Sequence, residues 1–499
     1  MEKEYLVTLH KNCDHDEFWH EMESDTTAHD CGCIPDRTID CCNRKPASIR
    51  TTGYMLNDSE AQELRNDPRV MGVEIEPGNE LKSIFASQSG NYSRASGKSG
   101  SFVNWGLRRC SISGVELPSG NVFPHNLDGA GVDIVIQDDG VMRGHPEWRD
   151  RNGISRLVEH DWYAVTGTPG TMPSGHYGDV GAHGTHVAGI AAGKTYGWAK
   201  EAAIYSIRFD LMPTGDEMDL IRLWHQQKTN GRPTIVNASW GYRWHYPGLN
   251  SQDGTTTEIN YRGVNVGTVR STNYGNVNSS HNISGIIAVD AALEDLTDAG
   301  VIFVKAAGNY KHKQDVLGGA DYDNYYKCST SWGLGAVAIG DPIYYHRPGS
   351  PISNDSIVVA NVSNVTPGSS QEQLASNSEK GPRIDICAPG SQITSATNST
   401  GFGYLYDNYY PSDSNFNISR ISGTSMASPQ VCGILACFLQ INPTATAQQC
   451  KDWLNANSQA IMRVGTGTGD DYADSNSLQG APNRFAFQPF NADTVITIG

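Results

Sequence analysis

Along most of this chain, short apolar runs alternate with amphipathic stretches. From residue 104 onward, strand-like runs fall at 132–136, 203–208, 234–238, 301–306, 336–340 and 384–387. Helical periodicity occupies 183–193, 215–228, 284–298, 425–440 and 446–456. Short apolar strands separated by helices predict an α/β fold, a mostly parallel sheet with helices on both faces. In such folds catalytic groups gather outside the carboxyl ends of the strands. Asp138 and Asn309 each follow a predicted strand and so fall at that edge.

The first 80 residues have a different rhythm. Residues 4–9 alternate as a strand, Phe18–Met22 reads as a short helix and Ser48–Leu56 as a second strand. Asp58–Arg65 opens on a capping residue and reads as a helix, and Asp67–Glu76 as a turn and a strand. The order β-α-β-α-β predicts a small open-faced α+β domain over 1–80. Residues 81–103, rich in Ser, Gly and Asn, have the composition of an exposed linker. The larger domain then spans 104–464, and 465–499 reads as a docked C-terminal extension. Two polar, aromatic stretches look inserted: 242–283, with Tyr242, Trp244, Tyr246, Tyr261 and Tyr274, and 399–417, with Phe402, Tyr404, Tyr406, Tyr409 and Tyr410. They are expected either to elaborate the surface or to form lips around a cleft.

Composition narrows the class. Of 499 residues 38% are hydrophobic, enough to bury a core. No apolar run reaches about 18 residues, so no membrane-spanning helix and no membrane partner are expected. The start, Met1–Leu9, lacks the basic and apolar regions of a secretion signal. The expectation is a soluble protein that stays inside, is released by lysis or is carried in a particle. A net charge of −17 favours solubility and disfavours nucleic acid as a partner. Cys13, Cys31, Cys33, Cys41 and Cys42 crowd the N-terminus with His10, His15, His20 and His29. That region is open to three readings: a disulfide, free thiols, or zinc held by ligands from His29–Cys33 and Cys41–Cys42. The spacing matches no standard zinc motif. Cys387, Cys432 and Cys437 read as small buried hydrophobes.

Three segments carry candidate chemistry. Ile421–Pro429 is a small-residue turn that sets Ser425 at the start of the apolar run Met426–Leu439. There, unpaired backbone N–H groups and the helix dipole favour negative charge, which suits a nucleophile whose attack creates an oxyanion. Ser422 and Ser428 lie in the same turn. Val132–Gly140 is a strand that delivers Asp138 and Asp139 into a glycine turn, and His183 opens a small-residue helix that also carries His186. A serine hydroxyl is a poor nucleophile without an adjacent base. An imidazole of near-neutral pKa would give activity rising through pH ~6–7.

In these motifs the chain resembles the subtilisin-like serine proteases, or subtilases, across residues 105–460. Asp, His and Ser come in the subtilisin order. The resemblance rests on Asp138-Asp-Gly140, His183-Gly-Thr-His-Val-Ala-Gly189, Ala306-Ala-Gly-Asn309 and Gly423-Thr-Ser-Met-Ala427. Gly193–Lys200 is similar to the proteinase K branch. The resemblance implies Ser425 as nucleophile, His183 as general base and then acid, and Asp138 as the orienting carboxylate. It implies Asn309 and the Ser425 N–H as oxyanion donors. It also implies that Ser239, Trp240 and Gly241, with Ala306, Ala307 and Gly308, pair with an extended peptide. Leu56–Glu74 is similar to the inhibitor-type propeptides of the family, so domain 1–80 is expected to be the enzyme's own inhibitory partner.

The chain departs from the family pattern in places. Asp139 stands where a hydroxyl residue is usual, as in kexin-like subtilases. Trp240 stands for a common leucine, and Ala182 for the glycine before the histidine. The chemistry requires no cofactor. The calcium loop of many subtilases is missing from Gly189–Gly193, and Asp341 matches a weak calcium site only in part, so no metal is assigned. The leading expectation is an endopeptidase acting on peptides or proteins. The alternatives are a protease-fold structural or assembly protein and a kexin-like processing enzyme for basic sites.

Overall fold

The computed structural model describes residues 2–23, 39, 41–76, 82–84, 104–113, 125–178, 181–245, 256–268, 281–283, 285–329, 339–364, 371–398, 408–410, 413–464 and 477–489. Its centre is a seven-stranded sheet. The order is Ile386–Pro389, Ile357–Val362, Ile302–Ala306, Thr234–Ala238, Asp133–Asp138, Ala203–Arg208 and Leu157–Val158. Every neighbouring pair is parallel. Strand periodicity sends alternate side chains to opposite faces. Ile134 and Ile136 accordingly enter one core cluster and Val135 the other. The first cluster lies under the helices His183–Ala192 and Thr424–Ile441, the second under Asp216–Gln227 and Ile287–Asp298. The α/β arrangement read from the sequence is therefore present.

Register sets the active edge. Gln137 lies opposite Ala238, and Ala238 opposite Lys305. Asp138, Ser239 and Ala306 thus emerge side by side at the carboxyl ends of three adjacent strands.

Thr424–Ile441 is buried from Thr424 through Leu439. It lies so close to the histidine helix that a Cβ on Gly433 would come within 2.5 Å of the Ala191 carbonyl. Among the described residues it is the one helix long and apolar enough to cross a membrane, and 89% of that window is buried inside the fold.

The N-terminal unit is a four-stranded antiparallel sheet in the order Cys41–Asn43, Thr51–Leu56, Lys3–Leu9 and Val70–Ile75. Helices His15–Glu23 and Asp58–Leu64 pack on it through Phe18, Met22, Ala61 and Leu64. Asn57 and Glu60 form a capping box at the second helix.

This unit docks on the helices Asp216–Gln227 and Ile287–Asp298. Lys45 pairs with Asp216, with both side chains at most 7% exposed, and donates to the Thr214 carbonyl at 2.6 Å. Arg50 donates to Asp295 at 2.9 Å and to the Ala291 carbonyl at 2.8 Å. Helix Ile287–Asp298 begins without a side-chain cap of its own, and Glu74 accepts the Ala288 N–H at 3.1 Å. Burial pushes the Glu74 carboxyl up to about 7, against the pull of those helix N–H groups.

Several expectations change. A strand was expected at 336–340; residues 339 and 340 form a turn, and 336–338 lie outside the described residues. Beside Ile302–Ala306 the sheet holds Ile357–Val362, not read as a strand from the sequence, paired as Val304 with Ile357. In the first insertion, Trp240–His245 pairs with His281–Ile283, and Thr256–Tyr261 joins a separate sheet with Tyr325–Cys328. In the second, Tyr410 is buried and donates to Glu147 at 2.9 Å, so it anchors its segment to the body. Tyr246, Tyr274, Phe402, Tyr404 and Tyr406 lie outside the described residues. So do Cys31 and Cys33, while Cys13, Cys41 and Cys42 are free thiols. Cys387, Cys432 and Cys437 are buried, as read from the sequence.

Candidate active site

Asp138 ends its strand and His183 opens its helix, and the two side chains meet. Asp138 Oδ1 lies 2.7 Å from His183 Nδ1, with both residues fully buried. The same carboxylate oxygen accepts the Asp139 N–H at 2.9 Å. A carboxylate in that position fixes the imidazole tautomer, with the proton on Nδ1 and the lone pair on Nε2.

Ser425 is the second residue of its helix and is also fully buried. Its hydroxyl donates to the Ser239 carbonyl at 3.0 Å. The reciprocal bond runs from Ser239 Oγ to the Ser425 carbonyl at 2.9 Å. That carbonyl is available because Pro429, four residues on, has no N–H to return to it. The proline in the helix thus makes the acceptor through which the Ser239 segment is tied to Ser425.

Thr424 orients Asn309. Its N–H and its hydroxyl both donate to Asn309 Oδ1, at 3.0 and 3.2 Å, and its hydroxyl accepts the Gly308 N–H at 3.1 Å. With the amide oxygen held by Thr424, the NH₂ end of Asn309 points to the opposite side. Glu379 backs this loop from inside: its N–H donates to the Gly308 carbonyl at 2.9 Å and its carboxyl accepts the Tyr310 N–H at 3.0 Å. Burial raises that carboxyl well above the ordinary range.

A family model for the subtilases matches residues 129–484. This chain belongs to the subtilase family. It is 28% identical over 405 residues to the extracellular serine proteinase of Thermus sp. (strain Rt41A), covering 81% of this chain and 69% of that protein. It is 26% identical over 446 residues to the alkaline serine exoprotease A of Vibrio alginolyticus, covering 89% of this chain and 59% of that protein. Among solved structures, fervidolysin from Fervidobacterium pennivorans, a keratinolytic enzyme related to subtilisin, superposes with a TM-score of 0.56 at 15% identity. That match covers 96% of this chain and 60% of fervidolysin, and shows the shared fold.

In this subtilase the places that depart from the family pattern have local explanations. Ala182 adopts φ +64 before the histidine helix and provides no side-chain cap. That left-handed conformation costs an alanine about 1–2 kcal/mol. The missing cap comes from across the site, because Asp139 Oδ1 accepts the Gly184 N–H at 2.7 Å. A carboxylate at a helix N-terminus is also favoured by the dipole. Sequence reading did not assign this role to Asp139, nor any role to Thr424 or Glu379. The signal for Asp139 was its replacement of a hydroxyl, another cap-forming group.

Trp240 is core, fully buried and stacked on Phe209 with ring centroids 4.4 Å apart. Tyr242 is buried beside it. Asp138, Asp139 and His183 present ligand atoms within 4.8 Å of one another, a spacing that could hold a metal ion. Both carboxylates accept N–H donors there, which already offsets part of their charge. Asp341 is exposed.

Asp139→Ala is expected to lower stability by about 0.5–2 kcal/mol, the usual range for a lost cap. It is also expected to lower kcat about tenfold through misplacement of His183, with Asp139→Ser restoring most of both. Thermal melts and steady-state kinetics on the three proteins check this. Unchanged kcat in the alanine variant would remove Asp139 from the positioning of the histidine.

Proposed function

We propose that this subtilase is a serine endopeptidase acting through Asp138, His183 and Ser425. The observation that carries the reading is the buried 2.7 Å contact between Asp138 and His183, on an edge shared with the Ser425 turn. Nε2 of His183 would take the Ser425 proton as the hydroxyl attacks a peptide carbonyl, and would later pass it to the leaving amine. The Ser425 hydroxyl would first turn from the Ser239 carbonyl toward the imidazole. Asn309 Nδ2 and the Ser425 N–H, at the positive end of the helix, would take the charge that develops on the carbonyl oxygen. Ser239–Gly241 and Ala306–Gly308 would flank an extended peptide, and no cofactor is needed. The similarity of Gly193–Lys200 supports placement in the proteinase K branch. A fluorophosphonate probe followed by intact-mass analysis tests the mechanism. One adduct on Ser425, with hydrolysis of casein, is expected; no adduct and no hydrolysis would end it.

We also propose that residues 1–80 inhibit the catalytic domain, 104–464. The backbone of Lys82–Ile84 pairs antiparallel with Trp240–His245, beside Ser239, which is where a substrate would lie. Added in trans, a fragment of that domain extended to residue 84, so that it carries the paired strand, is expected to inhibit a 104–499 enzyme. Lys45→Ala is expected to weaken it by ~10²–10⁴-fold, since breaking a buried ion pair costs roughly 3–5 kcal/mol. The raised Glu74 carboxyl adds a pH dependence. Its proton is held more tightly when docked, so docking is strongest at low pH and weakens as pH rises from 4.5 to about 7. Inhibition constants at pH 5 and pH 8 read this. Equal inhibition by wild-type and Lys45→Ala fragments would remove the ion pair from the interface.

A further inference from the structure

The turn that carries Asn309 is held by two residues from distant parts of the chain. Thr424 fixes the Asn309 amide oxygen and the Gly308 N–H. Glu379 fixes the flanks, with its own N–H on the Gly308 carbonyl and its Oε1 on the Tyr310 N–H. We propose that Glu379 is a positioning residue for the reaction, holding Gly308 and Tyr310 so that the Asn309 NH₂ group meets the charge developing on the substrate carbonyl. The inference rests on the peptidase reading above, and Glu379 acts only through Asn309.

Its seat is rigid. Residues 377–380 run beside the turn and its continuation. The Lys311 N–H donates to the Asn377 carbonyl at 3.2 Å, the Lys380 N–H to the His312 carbonyl at 3.1 Å and the Gln314 N–H to the Lys380 carbonyl at 2.7 Å. Gly308 stands at φ +118, where a side chain is rarely tolerated, and a Cβ there would come within 2.8 Å of Glu379 Cγ. The turn therefore cannot move closer to Glu379, and its bonds to Glu379 and Thr424 resist movement away. A donor aimed at a transition state needs that kind of restraint, because small misplacements cost large factors in rate.

The carboxyl does this uncharged. It is fully buried, and Oε2 has no hydrogen-bond partner among the described residues. A carboxylate would leave an uncompensated charge there, whereas a neutral carboxyl still offers Oε1 to the Tyr310 N–H. Burial outweighs the pull of the Tyr310 and His312 N–H groups and of Lys380 and Lys305, and keeps the proton on. Lys305, on Ile302–Ala306, spends its ammonium on the Gly349 carbonyl at 2.7 Å. Neutrality suits the task. A negative charge behind Asn309 would oppose the oxyanion that Asn309 is there to stabilise.

The test is a set of variants in the full chain, assayed on a chromogenic peptide, with rates expressed per serine labelled by a fluorophosphonate probe at completion. Glu379→Met keeps roughly the volume and removes the acceptor for Tyr310. It is expected to lower kcat about 10–100-fold with KM within about twofold. Glu379→Gln keeps a neutral acceptor and should stay within about threefold of the wild type. Asn309→Ala should lose ~10²–10³ in kcat. Adding Glu379→Met to Asn309→Ala should cost less than about twofold more, because the residue through which Glu379 acts is already gone. Thermal melts accompany each protein, and where Glu379→Met melts early the retained rate of Glu379→Gln decides. Unchanged kcat in Glu379→Met, full additivity in the double variant, or a Glu379→Gln rate as low as that of Glu379→Met would each overturn the proposal. Wild-type protein that neither labels nor hydrolyses the peptide would overturn the peptidase reading itself.

Discussion

Peptide hydrolysis by the Ser425→Ala variant is expected to fall by about 10⁶ in kcat, the scale of loss when subtilisin is deprived of its serine. The fold should survive. The lost hydroxyl donates a hydrogen bond to the Ser239 carbonyl. A typical net contribution is about 1 kcal/mol. The opposite bond, from Ser239 Oγ to the Ser425 carbonyl, uses backbone and remains. Kinetics on a chromogenic peptide and a thermal melt together check this. Full activity in the alanine variant would exclude Ser425 as nucleophile, and a collapsed melt would leave the loss attributable to unfolding.

Asp138→Asn is expected to lower kcat by ~10⁴, by the logic of the same exchange in another serine protease. The asparagine oxygen can still accept the Asp139 N–H that Asp138 takes at 2.9 Å. Its NH₂, however, would donate to His183 Nδ1, at the 2.7 Å contact that the carboxylate now makes. The imidazole would then carry its proton on Nε2 and could not accept another from Ser425. The pH–rate profile should sit low across the neutral range, with the melt little changed. A loss under tenfold would show that the carboxylate does not set the tautomer.

The helices of the catalytic domain and most strands of its sheet were legible because each is an apolar run of one period. The Ser425 turn could be read because its small residues interrupt that pattern. Local propensity does not declare which apolar run takes the sheet position beside Ile302–Ala306, and Ile357–Val362 was not read as a strand. Pairing across the sheet decides it, Val304 against Ile357. The bond from Asp139 to Gly184 was illegible for a related reason. It joins groups 45 residues apart, and a carboxylate in sequence does not declare which N–H it will meet. The docking contacts of Lys45, Arg50 and Glu74 reach more than 150 residues ahead, and the sequence marks them only as charges.

The reciprocal bonds between Ser239 and Ser425 bear on how much the rest of this chain can vary. The place where a peptide would be gripped and the place where it would be severed are joined directly, hydroxyl to carbonyl in both directions. No loop length enters that spacing. The long stretch after Gly241 and the one before Ile421 can therefore lengthen, shorten or change character without altering the reach between grip and blade. In this architecture, diversification belongs to the flanks, and the gauge of the cut is held by a proline that leaves one carbonyl open.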